Sequence, residues 1–322
     1  MKPSLPDAAV EAAIAALEIT ATTPAEKIER LIEIAQQVQD QTRSSQQLEG
    51  VVHLYCQALE LCDEGVYPLL QARALVGLGA ALRSFPAGLA DLLIEAQAAY
   101  QKALPLLQEH AAPEEIAAAE MSLGLVFQAL AQLPEALQSY QRALRVFTGE
   151  SYPKEHAIVQ NNIAIAHLSI PLPGQPGEAQ QSLAVQAFEQ ALKYVGPISH
   201  PVEYALLQNN LGNALQYSSA AHVVASRRRA LAAYDEAIKV RSRRDTPLEY
   251  AHTLANKANV LFNLPDCDDR PEAGNPTNLN QAKALYEEAQ AIFQQQGRPQ
   301  QVNAVAVALA DVEQALGQQV NQ

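Results

Sequence analysis

Residues 113–150 read PEEIAAAEMSLGLVFQALAQLPEALQSYQRALRVFTGE, and two phrases stand in this stretch. The first is Glu120-Leu123-Gly124-Phe127; the second is Ala136-Tyr140-Ala143. Steps of three and four residues place each phrase on one face of a helix. The glycine of the first and the alanines of the second leave room for two helices to approach closely. The tyrosine fills the gap that remains. Pro134 falls between the phrases, where one helix must end and the next begin. The stretch is a helical hairpin.

Outward from it, the second phrase occurs six times: Val51-Tyr55-Ala58, Ala96-Tyr100-Ala103, Ala136-Tyr140-Ala143, Ala184-Phe188-Ala191, Ala230-Tyr234-Ala237 and Ala282-Tyr286-Ala289. Its final alanines are 40 to 52 residues apart. The first phrase precedes each copy, as Leu31-Ile34-Ala35-Val38, Leu75-Leu78-Gly79-Leu82, Glu120-Leu123-Gly124-Phe127, Gln160-Ile163-Ala164-His167, Gln208-Leu211-Gly212-Leu215 and Leu254-Lys257-Ala258-Leu261. A degenerate seventh copy, Val302-Val305-Ala306-Leu309, has no second helix after it. Self-similarity at such a period predicts an all-α stack of helical pairs.

At these residues the chain resembles the tetratricopeptide repeat (TPR) family, over about residues 25–315. Residues 113–150 match the family's spacing between phrases, and the other units carry four to twelve extra residues there. The resemblance implies a right-handed superhelical solenoid of about six hairpins with N- and C-terminal capping helices. The expected organisation is a capping helix within 1–24, formed by the alanine-rich residues 7–19. Six repeats follow over 25–296 (25–64, 70–110, 113–150, 154–196, 200–242 and 246–296), then a capping helix and tail over 297–322. A solenoid grows by addition, so 322 residues need no second core.

Composition narrows the function. A net charge of −13 argues against a nucleic-acid coat. No run of 18 apolar residues and no signal-peptide segment is seen, which leads to the expectation of a cytoplasmic protein without membrane insertion. Cys56, Cys62 and Cys267 lack zinc-knuckle spacing and read as ordinary thiols. Most of the 19 prolines fall between units or between paired helices; Pro105 is the exception, expected to end or kink its helix early. Residues 265–279 (PDCDDRPEAGNPTNL) read as a solvated loop, because Asp266, Asp268 and Asp269 lack the glycine and distal glutamate of a calcium loop.

No GxSxG, phosphate loop, HExxH or paired CxxC occurs, and the seven histidines are dispersed among the units. No enzyme, cofactor or metal site is expected. His167 stands at a core position and reads as a packing residue with one hydrogen-bond partner. The asparagines form a pattern of their own: QNNIAIAHL, QNNLGNAL and ANKANVL in the last three hairpins. On a helical wheel Asn209, Asn210 and Asn213 share a face opposite Leu211, Gly212, Leu215 and Tyr204, so they are expected to turn away from the core. Asn162, Asn210 and Asn256 are then equivalent, with Asn213 and Asn259 a turn further on and Asn161 beside Asn162.

The resemblance places that face on the concave surface, where several long-repeat members bind peptides through asparagines. An amide offers both a donor and an acceptor, and so can grip the backbone of an extended segment. The other reading is that these amides bond across adjacent helices and set the superhelical twist. Arg227, Arg228 and Arg229 open a helix whose N-terminal dipole they oppose, so they need partners. Pairing with neighbouring carboxylates such as Glu249 is one account, and capture of an acidic partner is the other. Lys257 replaces an apolar residue, with its stem snorkelling or its repeat distorted. The expected function is a non-enzymatic protein-protein interaction module, an adaptor or assembly factor holding a peptide or helix of a partner protein. A self-associating scaffold is the alternative.

Overall fold

The computed structural model describes residues 23–41, 44–63, 65–86, 90–170, 177–216, 223–267 and 274–320. Among these residues the regular structure is thirteen helices and no strand. They are α1 (Pro24–Gln41), α2 (Ser45–Glu60), α3 (Pro68–Arg83), α4 (Ala90–His110), α5 (Pro113–Ala129), α6 (Leu133–Leu144) and α7 (Pro153–Ser169). The remainder are α8 (Gly177–Ala191), α9 (Pro201–Gln216), α10 (Val223–Val240), α11 (Pro247–Phe262), α12 (Pro276–Gln295) and α13 (Pro299–Val320). The capping helix expected over 7–19 and the proline cluster at 171–176 lie outside the described residues, as do Asp268 and Asp269.

The chain divides after Thr148 into two compact units. The first holds the hairpins α1/α2, α3/α4 and α5/α6; the second holds α7/α8, α9/α10 and α11/α12, followed by α13. Within each unit an odd-numbered helix packs against its even partner and beside the next odd-numbered helix. Every odd-numbered helix begins at a proline. Proline presets the helical φ and lacks the N–H that the first turn would leave without a partner. Its effect on the preceding residue ends what came before. Ahead of α1, Thr23 and Glu26 close a reciprocal capping box, with bonds of 3.1 and 3.3 Å.

The repeated aromatics are the core. Tyr55, Tyr100, Tyr140, Phe188 and Tyr234 are all at most 1% exposed, and Tyr286 is 5% exposed. Each glycine of the first phrase seats one of these rings. A Cβ on Gly79, Gly124 or Gly212 would stand 2.7, 2.4 or 2.6 Å from the ring of Tyr100, Tyr140 or Tyr234. Only a residue without a side chain permits that approach.

Two local expectations are corrected. Pro105 does not end its helix, since α4 runs on to His110. Its ring sits on the exposed face, where water can satisfy the Gln101 carbonyl it orphans, while Leu104 and Leu107 anchor the helix inside. The segment expected as loop to residue 279 turns helical at Pro276. Asp266 nucleates that start, its carboxylate accepting from the Thr277 and Asn278 amides, both at 2.8 Å.

Candidate functional site

In the second unit α7, α9 and α11 lie side by side, and the asparagines line their shared face. Asn162, Asn210 and Asn256 each stand two residues before the small residue of the first phrase. Asn161 Nδ2 donates to Asn162 Oδ1 at 3.5 Å. Asn210 Nδ2 crosses from α9 to α7 and donates to Asn161 Oδ1 at 2.8 Å, while Asn209 Nδ2 donates to Asn210 Oδ1 at 3.3 Å. Asn256 Nδ2 crosses from α11 and donates to Asn209 Oδ1 at 3.4 Å. One chain of amides therefore joins three helices.

The chain continues through Thr253, which the sequence reading passed over, to Arg241. The Thr253 hydroxyl lies 3.3 Å from Asn209 Oδ1 and 2.8 Å from the Glu249 carbonyl. Arg241 Nη1 in turn donates to Thr253 Oγ1 at 2.6 Å. Burial draws the Arg241 guanidinium below its ordinary pKa, with the Glu249 carboxylate opposing. A second row runs one turn on, where Asn259 Nδ2 donates to Gln216 Oε1 and Gln216 Nε2 to Asn213 Oδ1, both at 3.4 Å. The Tyr234 hydroxyl also donates to Asn213 Oδ1, at 2.8 Å. The core tyrosine thus holds the amide row in place. Gln216 was legible in principle: it stands four residues after Gly212, as Gln128 does after Gly124.

The burial of these amides corrects the expectation that they turn away from the core. Asn161, Asn162 and Asn209 are 7, 9 and 8% exposed, and Asn210, Asn213, Asn256 and Asn259 are half-buried. A helical wheel sees only the partner within the hairpin. In the stack, the face opposite that partner is partly covered by the next odd-numbered helix. A buried amide needs bonding partners, and these asparagines supply them to one another.

The arginine cluster is also drawn inward. Arg227 donates to the carbonyl of Asn263, and Arg228 Nη2 to that of Pro265 at 3.3 Å. Both carbonyls lie just beyond the C-terminus of α11, where a cation is favoured. Arg229 pairs with Glu189 on α8 at 2.6 Å. Glu249, named as the example of a partner, instead offers its carbonyl to Arg241. The arginines oppose their own helix dipole because they serve neighbouring helices. Lys257 snorkels to Asp235 on α10, and His167 Nδ1 has Gln180 Oε1 at 2.7 Å.

Among the described residues no group of three or more histidine, cysteine, aspartate or glutamate side chains stands close enough to hold a metal. None of the described helices is long and apolar enough to cross a membrane. Burial pushes the Cys56 and Cys62 thiols up, away from thiolate chemistry.

No protein-family model and no curated protein sequence matches the chain. Solved structures share its architecture. The apo quorum sensor NprR from B. thuringiensis is 12% identical with a TM-score of 0.55, over 93% of this chain and 91% of that one. The Rap conjugation gene regulator of plasmid pLS20, solved with the Phr* peptide, is 14% identical with a TM-score of 0.51, over 99% and 85%. The nearly identical TPR-like repeats of a P. anserina kinesin light chain are 14% identical with a TM-score of 0.50, over 72% and 98%. The fold is that of the tetratricopeptide-like helical-repeat proteins.

Proposed function

We propose that this chain is a non-enzymatic protein-interaction module. It takes an extended segment of a partner protein along the amide rows of α7, α9 and α11. One observation carries the reading: the ladder leaves alternating groups open. Asn162 Nδ2, Asn213 Nδ2, Asn256 Oδ1 and Asn259 Oδ1 have no intramolecular partner among the described residues, while the opposite atom of each amide is held. The ladder therefore presets a line of donors and acceptors, the complement of a peptide backbone. Packed helices sit about 8–10 Å apart, so an extended chain at about 3.3 Å per residue places roughly three residues over each one. The Phr* complex of the Rap regulator shows a peptide held by a protein of this fold, and supports the reading by analogy.

The test removes the open groups with least damage to the ladder. A triple variant, Asn162→Ala, Asn256→Ala and Asn259→Ala, loses only ladder bonds of 3.4 and 3.5 Å. Its helicity should match wild type and its melting midpoint should fall by a few degrees. Affinity capture from native lysate with wild type and variant as parallel baits, followed by mass spectrometry, should show the wild-type partner depleted at least tenfold. Undiminished capture of the same partner would refute the amide-row reading.

Self-association has its own observation. Ile198, Val202 and Leu206 repeat every four residues into α9 and are 95, 71 and 37% exposed. Light scattering over a concentration range separates this reading from the first, since Val202→Glu should abolish any oligomer and leave partner capture intact.

A further inference from the structure

Along α7, α9 and α11 the first amide row has a different neighbour on each side. Ile158, Leu206 and His252 stand four residues before Asn162, Asn210 and Asn256 respectively. Four residues of helix rise about 6 Å and return to nearly the same face, so these three form a row parallel to the amides. Ile158 is half-buried and Leu206 is exposed. The exposed His252 has its ring edge-on to Phe293, with centroids 4.8 Å apart. This flank is aliphatic over α7 and α9 and aromatic over α11.

The other flank is polar. Asn213 and Asn259 stand three residues after Asn210 and Asn256, and Gln216 joins them. On α7 the same place holds Ile165, so the polar flank covers α9 and α11. The bonds that hold this row leave Asn213 Nδ2 and Asn259 Oδ1 open among the described residues. An apolar side chain laid over them would strip their water and return no bond, which is unfavourable. An apolar side chain laid over Ile158 and Leu206 is favoured, because it removes apolar surface from water. Each flank therefore selects against the occupant of the other.

An extended segment meets both flanks at once. Where its backbone N–H and C=O groups point at the amides of the floor, its side chains project sideways, and successive ones go to opposite sides. We propose that the partner segment carries alternating apolar and polar residues, the apolar ones seated along Ile158, Leu206 and His252 and the polar ones along Asn213, Gln216 and Asn259. This pattern rests on the amide-row reading, since only a backbone that faces the floor divides its side chains in this way. A helix does not suit the groove. Its apolar residues recur at steps of three and four, and its backbone groups are spent on one another, which leaves none for the open atoms of Asn162 and Asn256.

The test uses the full 15N-labelled chain and two capped octapeptides of one composition. One alternates valine and serine; the other, Val-Ser-Ser-Val-Val-Ser-Ser-Val, gathers its valines on one face of a helix. The side-chain amide resonances of Asn162, Asn210 and Asn256 should shift saturably with the alternating peptide, and the isomer should bind about tenfold more weakly. Leu206→Ser should weaken the alternating peptide and bring the two isomers closer together. A fully N-methylated alternating peptide keeps the side chains, loses every backbone donor and should not bind. Equal binding of the two isomers, both lost on N-methylation, would overturn the alternating pattern and leave the amide-row reading standing. Binding that N-methylation does not diminish would overturn the amide-row reading and the pattern with it. Tighter binding of the helix-patterned isomer, an unchanged preference in Leu206→Ser, or no saturable shift with either peptide would each overturn the proposal.

Discussion

A ring carbon 2.4 Å from where a Cβ of Gly124 would stand makes that glycine irreplaceable on steric grounds. Tyr140 is fully buried and cannot retreat. Gly124→Ala gains up to about 1 kcal/mol of helix propensity but overpacks the hairpin, at a cost of about 1–3 kcal/mol. The variant should therefore unfold at lower denaturant than wild type. Gly317, inside α13 with open space around its Cα, provides the opposite control. Gly317→Ala should raise stability by about 0.5–1 kcal/mol in the same urea titration. This steric role was legible from the spacing of glycine and tyrosine in residues 113–150. That the asparagines bond across adjacent helices was one of the two readings open in the sequence; which amide meets which was not legible, because an amide on a helical wheel has a direction but no neighbour.

Helix ends show the same division at the scale of the element. Proline at the head of each odd-numbered helix was readable as punctuation, since its chemistry acts on its own residue and the one before it. The start of α12 was not readable, because its amides are held by Asp266, ten residues upstream of Pro276. Burial alone would raise the Asp266 carboxyl, but the Asn278 and Thr277 donors and the nearby Arg228 outweigh it and hold it below the usual carboxylate range. A group with a lowered folded pKa stabilises fully above its unfolded value, about pH 4, and loses that contribution as pH falls further. Asp266→Ala should cost about 0.5–2 kcal/mol at pH 7, in the range of capping residues. The gap between variant and wild type, followed by thermal melts from pH 7 to pH 3, should narrow at the acid end.

For the whole molecule the repeated tyrosines act as a distributed sensor of alkaline unfolding. Burial is the leading cause that raises the hydroxyls of Tyr55, Tyr100 and Tyr140, with Tyr55 pushed up to about 12. A raised folded pKa contributes stability that is complete below the unfolded value of about 10 and is lost as pH climbs through the folded one. Stability should therefore fall above pH 10. Ultraviolet titration should show the exposed tyrosines ionising first, with the buried set following only as the helical signal is lost. Two separate tyrosine phases with intact helicity throughout would contradict the core packing described for the first unit.

What the sequence determined by itself was the hairpin and its repetition. Both are short-range: three- and four-residue steps select a helix face, and a glycine admits a ring. Tertiary structure decided which polar groups are spent and which remain open. Stacking the odd-numbered helices brought Asn161, Asn209, Asn210 and Asn256 within bonding distance and drew Arg227 and Arg228 to the end of α11. Hydrogen bonding depends on distances of a few tenths of an ångström between residues 36 to 49 apart in the chain, and only the packed helices set those distances.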